Sequence, residues 1–190
     1  RLWQHILERI QWDRELFVFA NVSQDTLDYT GPSVNKGSKA MMLGLGQAKH
    51  RDLPETFTGS LPEECARPVA YLPGTLVVEG PSYESAPDLP GRLANHPGVA
   101  TWPVVLLVDS SAEATASLQE FLWTFFTRFE PAADIHGRRQ TLHRFHVGLE
   151  PPIVFDCRMK PWYTEVLEVD PATKKLVDGR IDRILPARYR

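Results

Sequence analysis

Apolar positions change period several times along the chain. Leu2, Trp3, Ile6, Leu7 and Ile10 recur at helical spacing, and Trp12-Asp13-Arg14 closes that segment. Glu15 to Asn21 (ELFVFAN) is dense in Phe and Val and predicts a strand. Asp28 to Lys39 (DYTGPSVNKGSK) is turn-rich, broken at Gly31-Pro32 and Gly37, and Met41 to Leu45 is a short apolar run that suits another strand. Gln47 to Gly98 has a different texture. It carries eight of the chain's 16 prolines, and only Thr75 to Glu79 (TLVVE) reads as a strand, so it is expected to be a surface connector or a linker between modules. Order returns at Trp102. Val104 to Asp109 (VVLLVD) predicts a strand, Ser110-Ser111 with Glu113 a helix start, and Ala114 to Phe129 a helix burying Leu118, Phe121, Leu122, Phe125 and Phe126. The aromatic cluster Trp123, Phe125, Phe126 and Phe129 is expected in the core or at an interface. Short strands follow at Leu142 to Val147 and Ile153 to Asp156. Val169-Asp170-Pro171 opens a last helix, Ala172 to Leu185, with Leu176, Val177, Ile181 and Ile184 turned inward. The alternation predicts an α/β fold, a layered sheet with flanking helices.

Charge narrows the function classes. Twenty-one basic against 24 acidic residues leave a net −3, which speaks against general binding of nucleic acid or anionic membrane. No apolar run approaches the ~18 residues a membrane span needs. Cys65 and Cys157 make no disulfide framework, and no leader or lipidation motif is visible, so a reduced, cytoplasmic protein is expected. The chain opens on Arg1 with a helix already under way, and is expected to be a piece of a longer polypeptide.

Candidate chemistry is sparse. Lys39 in Gly37-Ser38-Lys39 can meet an anion through converging backbone amides, or is a plain solvated lysine; the spacing of a phosphate-binding P-loop is absent. His143 and His146, with His136 nearby, have an H-x-x-H spacing. Phe145 and Val147 beside them favour a strand, which would set the two rings on opposite faces and argues against a shared metal. Asp156, Arg158 and Lys160 alternate with Cys157 and Met159 and would share one strand face, as an anchor for a carboxylate or as a structural ion pair. Arg128 and Asp134 suit an ion pair bracing a helix–strand turn. Cys157 reads as a buried, inert thiol, Ser110-Ser111 as a cap rather than a nucleophile, and Gly44-Leu-Gly-Gln47 as a turn.

An internal repeat organises these pieces. Leu2-Trp3, Arg9 and Glu15-Leu16 lie on Leu122-Trp123, Arg128 and Asp134-Ile135 with one residue of slack, each copy a helix leading through an acidic residue into a strand. The string WPVVLLVD from Trp102, followed by FLWTFFTRFEPAADI with Asp109, Trp123, Thr127, Arg128, Pro131 and Asp134, resembles the C-terminal domain of the UbiD family of decarboxylases and carboxylases. The rest of the family pattern is divided between the copies. The first holds Leu27-Asp28-Tyr29 and Gly37-Ser38-Lys39, with Gly44 where the family has an Asp. The second holds Asp156, Arg158, Lys160 and Pro161, with Leu149-Glu150-Pro151-Pro152 in place of Gly-Ser-Lys. The closing VDPATKKLVDGRIDRILP resembles the family's terminal helix.

The resemblance implies three parts: 1–46, the end of a first C-terminal-like unit; 47–96, the proline-rich connector; and 97–190, a second α/β unit. It implies reversible decarboxylation of an aromatic or unsaturated acid with prenylated FMN and a divalent metal in the complete enzyme. No flavin, metal or catalytic residue is expected on this chain. Its expected work is to close over substrate, with Gln24, Asp25, Thr26, Leu27, Asp28 and Tyr29 as lid candidates and Lys39, Arg158 and Lys160 as anion contacts. Its partners would be a flavin-binding domain, in the same polypeptide or in another subunit, and further copies of itself. Two alternatives stand beside this reading: a non-catalytic assembly or regulatory subunit derived from the same domain, and a small-molecule module using the 24–39 loop.

Overall fold

A computed structural model describes residues 1–164, 166 and 169–181. It is mixed α/β, with two sheets and flanking helices. Helix α1 (Leu2–Leu7) leads into an antiparallel pair, β1 (Leu16–Ser23) and β2 (Lys36–Met42), which form a two-stranded sheet. The second sheet has the order β3-β4-β5-β7-β6, from β3 (Ala66–Leu72), β4 (Thr75–Glu79), β5 (Val104–Val108), β6 (Ile135–His143) and β7 (His146–Asp156). Its three inner strands run parallel and its two edges antiparallel.

The unbroken VVLLV run makes sense at the sheet centre. β5 is buried on both faces, so alternation has no role there. One face, with Val104, Leu106, Ile153 and Phe155, lies under Leu7 and Ile10 of the α1 segment and under Phe121 and Phe125 of α4 (Leu118–Thr127). The other, with Leu76, Val78, Val105, Leu107 and Val154, lies under Leu89 and Leu93 of α2 (Leu89–Ala94) and under Trp102. The two-stranded sheet sits against β7 and the one-turn helix α5 (Pro131–Asp134). The Leu149 N–H donates to Trp12 O at 3.2 Å and joins the two halves.

Several expectations change. Residues 66–94 of the expected connector supply β3, β4 and α2, so part of the proline-rich stretch is structural core. Pro68 is tolerated because β3 is an edge strand with an irregular register. Gly37-Ser38-Lys39 lies in β2, not in a turn. The helix expected over Ala114 to Phe129 is two, α3 (Ser111–Ala114) and α4. Ser110 caps the first through the Glu113 amide at 3.3 Å, and Ser117 caps the second through the Glu120 amide at 3.1 Å. Within α4, Phe121 and Phe125 are buried as expected, whereas Leu118, Leu122 and Phe126 are not; α4 packs by a narrower stripe than its apolar content allows. The last helix, α6 (Pro171–Asp178), starts at the expected Asp170 cap, but Leu176 and Val177 are exposed on it. Ile184 and Leu185 lie outside the described residues.

Candidate functional site

The loop of lid candidates leaves the end of β1 and is tied at its base. The Gln24 side-chain amide donates to Ser38 O at 3.0 Å, and Asn35 Nδ2 donates to Gln24 O at 2.8 Å. Glycine at 37 leaves room for this contact: a Cβ there would displace the Gln24 side-chain amide. Asp25 Oδ1 accepts the Leu27 amide at 2.9 Å, a local Asx turn. Asp28 Oδ1 accepts from the Thr30 amide and hydroxyl at 3.1 and 2.6 Å, while Oδ2 takes the Lys39 ammonium. Burial pushes the Asp28 carboxyl up, but these hydrogen bonds outweigh it and hold the carboxyl below its usual range. Thr30 O accepts the Tyr163 hydroxyl at 3.1 Å. Between these anchors Thr26 and Leu27 are exposed, Leu27 to 87%. The loop has a fixed base and an open tip.

Beside it, β2 and α4 enclose a cavity of about 180 Å³ that reaches Asp28, Thr30, Lys39, Ala40, Phe126 and Phe129. Ser38 holds the floor: its hydroxyl donates to Glu130 Oε1 at 3.1 Å and accepts the Ala132 amide at 2.9 Å. Lys39 remains exposed and spends its charge on Asp28.

Arg158 and Lys160 lie elsewhere, and the expectation that they meet an anion is corrected. Arg158 is fully buried just beyond β7. It grips Asp156 with two nitrogens at 2.9 and 2.7 Å and donates to the carbonyls of Pro81, Ser82 and Ala86 at 3.0 to 3.3 Å. Lys160 donates to Arg128 O at 2.8 Å and to Asp156 O, and sits 3.1 Å from Asp134. Burial pushes the Asp134 carboxyl up, against the opposing pull of Lys160 and of the Glu130 amide 2.6 Å away. Neither cation presents charge to solvent; together they fasten β7 to the chain before α2 and to the end of α4. Arg128 pairs with Asp109 at 3.5 Å rather than with Asp134.

The histidine expectation also changes. His143 and His146 flank a two-residue turn and are paired across the ladder, so they are cross-strand neighbours rather than residues of one strand. His146 packs edge-on against Phe17. His136, partly buried, is held below its usual range by burial, against the pull of Asp156. Cys157 is buried and its thiol is pushed far up by desolvation; Cys65 is pushed up to about 11. Sequence reasoning passed over Thr30 and Tyr163. Asp28-Tyr-Thr30 is a usable local signal, because Asp followed two residues later by Thr favours the turn seen; Tyr163 carries no such signal.

A flavin mononucleotide needs a slot of at least ~300 Å³ and a cradle for its phosphate. The two cavities beside the loop, of about 180 and 370 Å³, bring one cation between them, Lys39, and it is bound to Asp28. The described residues lining them therefore offer no cradle for the phosphate of the prenylated FMN that the resemblance implies. They also gather no three His, Cys, Asp or Glu side chains as a metal centre.

The architecture defines an α/β domain whose polar groups serve its own packing and one anchored loop. Comparison with known proteins adds similarities over part and over most of the chain. Residues 1–44 match the model of the C-terminal domain of 3-octaprenyl-4-hydroxybenzoate carboxy-lyase. The match falls on the segment expected to be a first copy, whereas the sequence motifs placed the sharper resemblance after Trp102. The chain is 39% identical, over 95% of its length, to a Chlamydia pneumoniae protein named as a subunit of 4-hydroxybenzoate decarboxylase. It is 38% identical over 98% of its length to an uncharacterized protein of Chlamydia caviae, and 37% over 97% to one of Chlamydia trachomatis. It spans about a third of each of these relatives, 30 to 31% of their length. No solved structure matches the chain. No helix among the described residues is long and apolar enough to cross a membrane.

Proposed function

We propose that the chain is the C-terminal lid and assembly portion of a UbiD-like enzyme that catalyses reversible decarboxylation of an aromatic or unsaturated carboxylic acid. The observation that carries this reading is the family match over residues 1–44, which includes the whole loop from Gln24 to Tyr29. The Chlamydia pneumoniae relative's name, which gives it as part of a 4-hydroxybenzoate decarboxylase, makes 4-hydroxybenzoate the first substrate to try. The division of labour follows from the residues. The anchored base of the loop sets its position, and the exposed Leu27 offers an apolar tip to cover a substrate ring and exclude water. The flavin, the metal and the chemistry of CO₂ loss belong to a partner domain, and the copies at 1–46 and 97–190 are two divergent units of the C-terminal type.

The test uses the polypeptide extended to its native start. Its absorption spectrum should show bound flavin, and it should exchange labelled bicarbonate into 4-hydroxybenzoate or a related acid. L27D should lower turnover while leaving the flavin spectrum unchanged. A native start close to Arg1, with no flavin-binding protein co-purifying, would instead favour the assembly-subunit reading.

A further inference from the structure

The cavity between β2 and the end of α4 has the size and lining of a site for one aromatic ring. It measures about 180 Å³, and an apolar cavity of roughly 150 Å³ lined by Leu, Ile and Phe is enough to take up benzene. Four segments supply its apolar lining: Leu16 of β1, Met42 of β2, Phe126 and Phe129 at the end of α4, and Phe155 of β7. Leu16, Phe129 and Phe155 are buried and form the deep part, with the rings of Phe129 and Phe155 edge-on at 5.2 Å. Phe126 is half exposed. Together with Asp28 and Thr30 it also lines the cleft of about 370 Å³ against Leu27, so the cavity opens toward the 24–29 loop.

Its polar groups sort ligands by charge. The Ser38 hydroxyl gives its proton to Glu130 and the Thr30 hydroxyl gives its own to Asp28, so neither is free to donate to a guest. Lys39 is neutralised by Asp28, and the cleft that leads in carries a second carboxylate, Asp25. Capacity to accept remains. A carboxylate has about four lone-pair positions, and Asp28 receives the Thr30 amide, the Thr30 hydroxyl and the Lys39 ammonium. An entering hydroxyl group is therefore matched, whereas an entering carboxylate meets like charge. At neutral pH a phenol is uncharged and a benzoate is an anion.

We infer that this cavity binds a neutral monocyclic phenol and excludes the corresponding benzoate, with the ring against Phe126, Phe129 and Phe155 and the hydroxyl donating to Asp28. The inference rests on the decarboxylase reading, which gives such a ligand its place. Loss of CO₂ from the 4-hydroxybenzoate proposed above, with a proton taking the place of the carboxylate, leaves phenol. The cavity is then a product site next to the loop, and it tells product from acid by charge rather than by shape.

The experiment is a methyl-NMR titration of protein labelled at its methionines, with phenol and with 4-hydroxybenzoate, on the polypeptide extended to its native start. Met42 lines the cavity and M42L assigns its signal; Met41, on the other face of β2, and Met159, beyond β7, serve as controls. Phenol should move the Met42 signal saturably, with a Kd on the order of 1 mM, and leave Met41 and Met159 in place. The acid should bind at least about tenfold more weakly. F126A removes one wall and should weaken phenol several-fold, with an unmoved Met159 signal showing that the fold is kept. D28N retains an acceptor for Thr30 but frees the Lys39 charge, and should shift the preference toward the acid. A Met42 signal that phenol leaves unmoved, or that the acid moves at lower concentration, overturns the inference. So does phenol binding that F126A leaves unchanged, and so does a preference that D28N leaves unchanged. Bicarbonate exchange measured on the same sample separates the cases. Exchange without a Met42 response to phenol sinks this inference alone, whereas a Met42 response without exchange into any acid sinks the enzymatic reading alone.

Discussion

The β1–β2 pair and the β6–β7 pair are both antiparallel and are packed to different depths. At the end of β7, Ile153 to Asp156 are buried without interruption; along β2, burial is confined to Gly37 and Ser38. The difference is not in the strands' own propensity. β7 has a parallel neighbour on its inner edge and helices over both faces, whereas β2 has one strand beside it and a helix end beneath. How deep a strand lies is set by how many neighbours arrive.

The comparison is broken most severely at Arg158, the buried cation that fastens β7. R158A leaves Asp156 charged and unpaired in the interior, and should cost about 3–5 kcal/mol in chemical denaturation. Within α4 the comparison sharpens to neighbouring residues: F125A should cost about 3–5 kcal/mol and F126A under about 1 kcal/mol, measured the same way. Equal costs would mean that the exposed face is packed in the chain alone. At the junction of the two pairs, S38A strands the Ala132 amide and should cost about 1–3 kcal/mol. The smallest effect is at Asp28. Its folded pKa lies below its unfolded one, so the stability it contributes is present above the usual carboxylate range and is lost as pH falls through the folded value. Carboxyl NMR should show Asp28 titrating below ordinary aspartates, and K39A should raise its midpoint.

Much of this was legible in the residues. TLVVE and VVLLVD announce buried strands because nothing but a two-sided core tolerates so many consecutive aliphatic side chains. Ser110 and Asp170 announce helix starts because their side chains satisfy amides that the helix leaves free. The loop at 24–29 was legible through its resemblance, although its anchors were not: Gln24 reaches Ser38 only because β1 and β2 pair. β3 was illegible because Pro68 and the charged residues around it are the marks of an edge, and an edge is defined by its neighbours. The Ser117 break in α4 did have a local signal, Ser117-x-x-Glu120, which the longer apolar period masked.

By itself the sequence determined the kinds of element, the central aliphatic strands, the caps, the near-neutral surface and the family resemblance, because each depends on residues close together in the chain. Only the tertiary structure decided the roles of the charged residues. Arg158 and Lys160 read as anion ligands or, more readily, as a structural pair with Asp156, and which role holds depends on the carbonyls of Pro81, Ser82, Ala86 and Arg128 that other segments bring to 2.8 to 3.3 Å. The same holds for α4, whose apolar residues ring more of the helix than its neighbours cover. Periodicity measures how much of a helix is able to be buried; which stripe is buried depends on the partners that arrive.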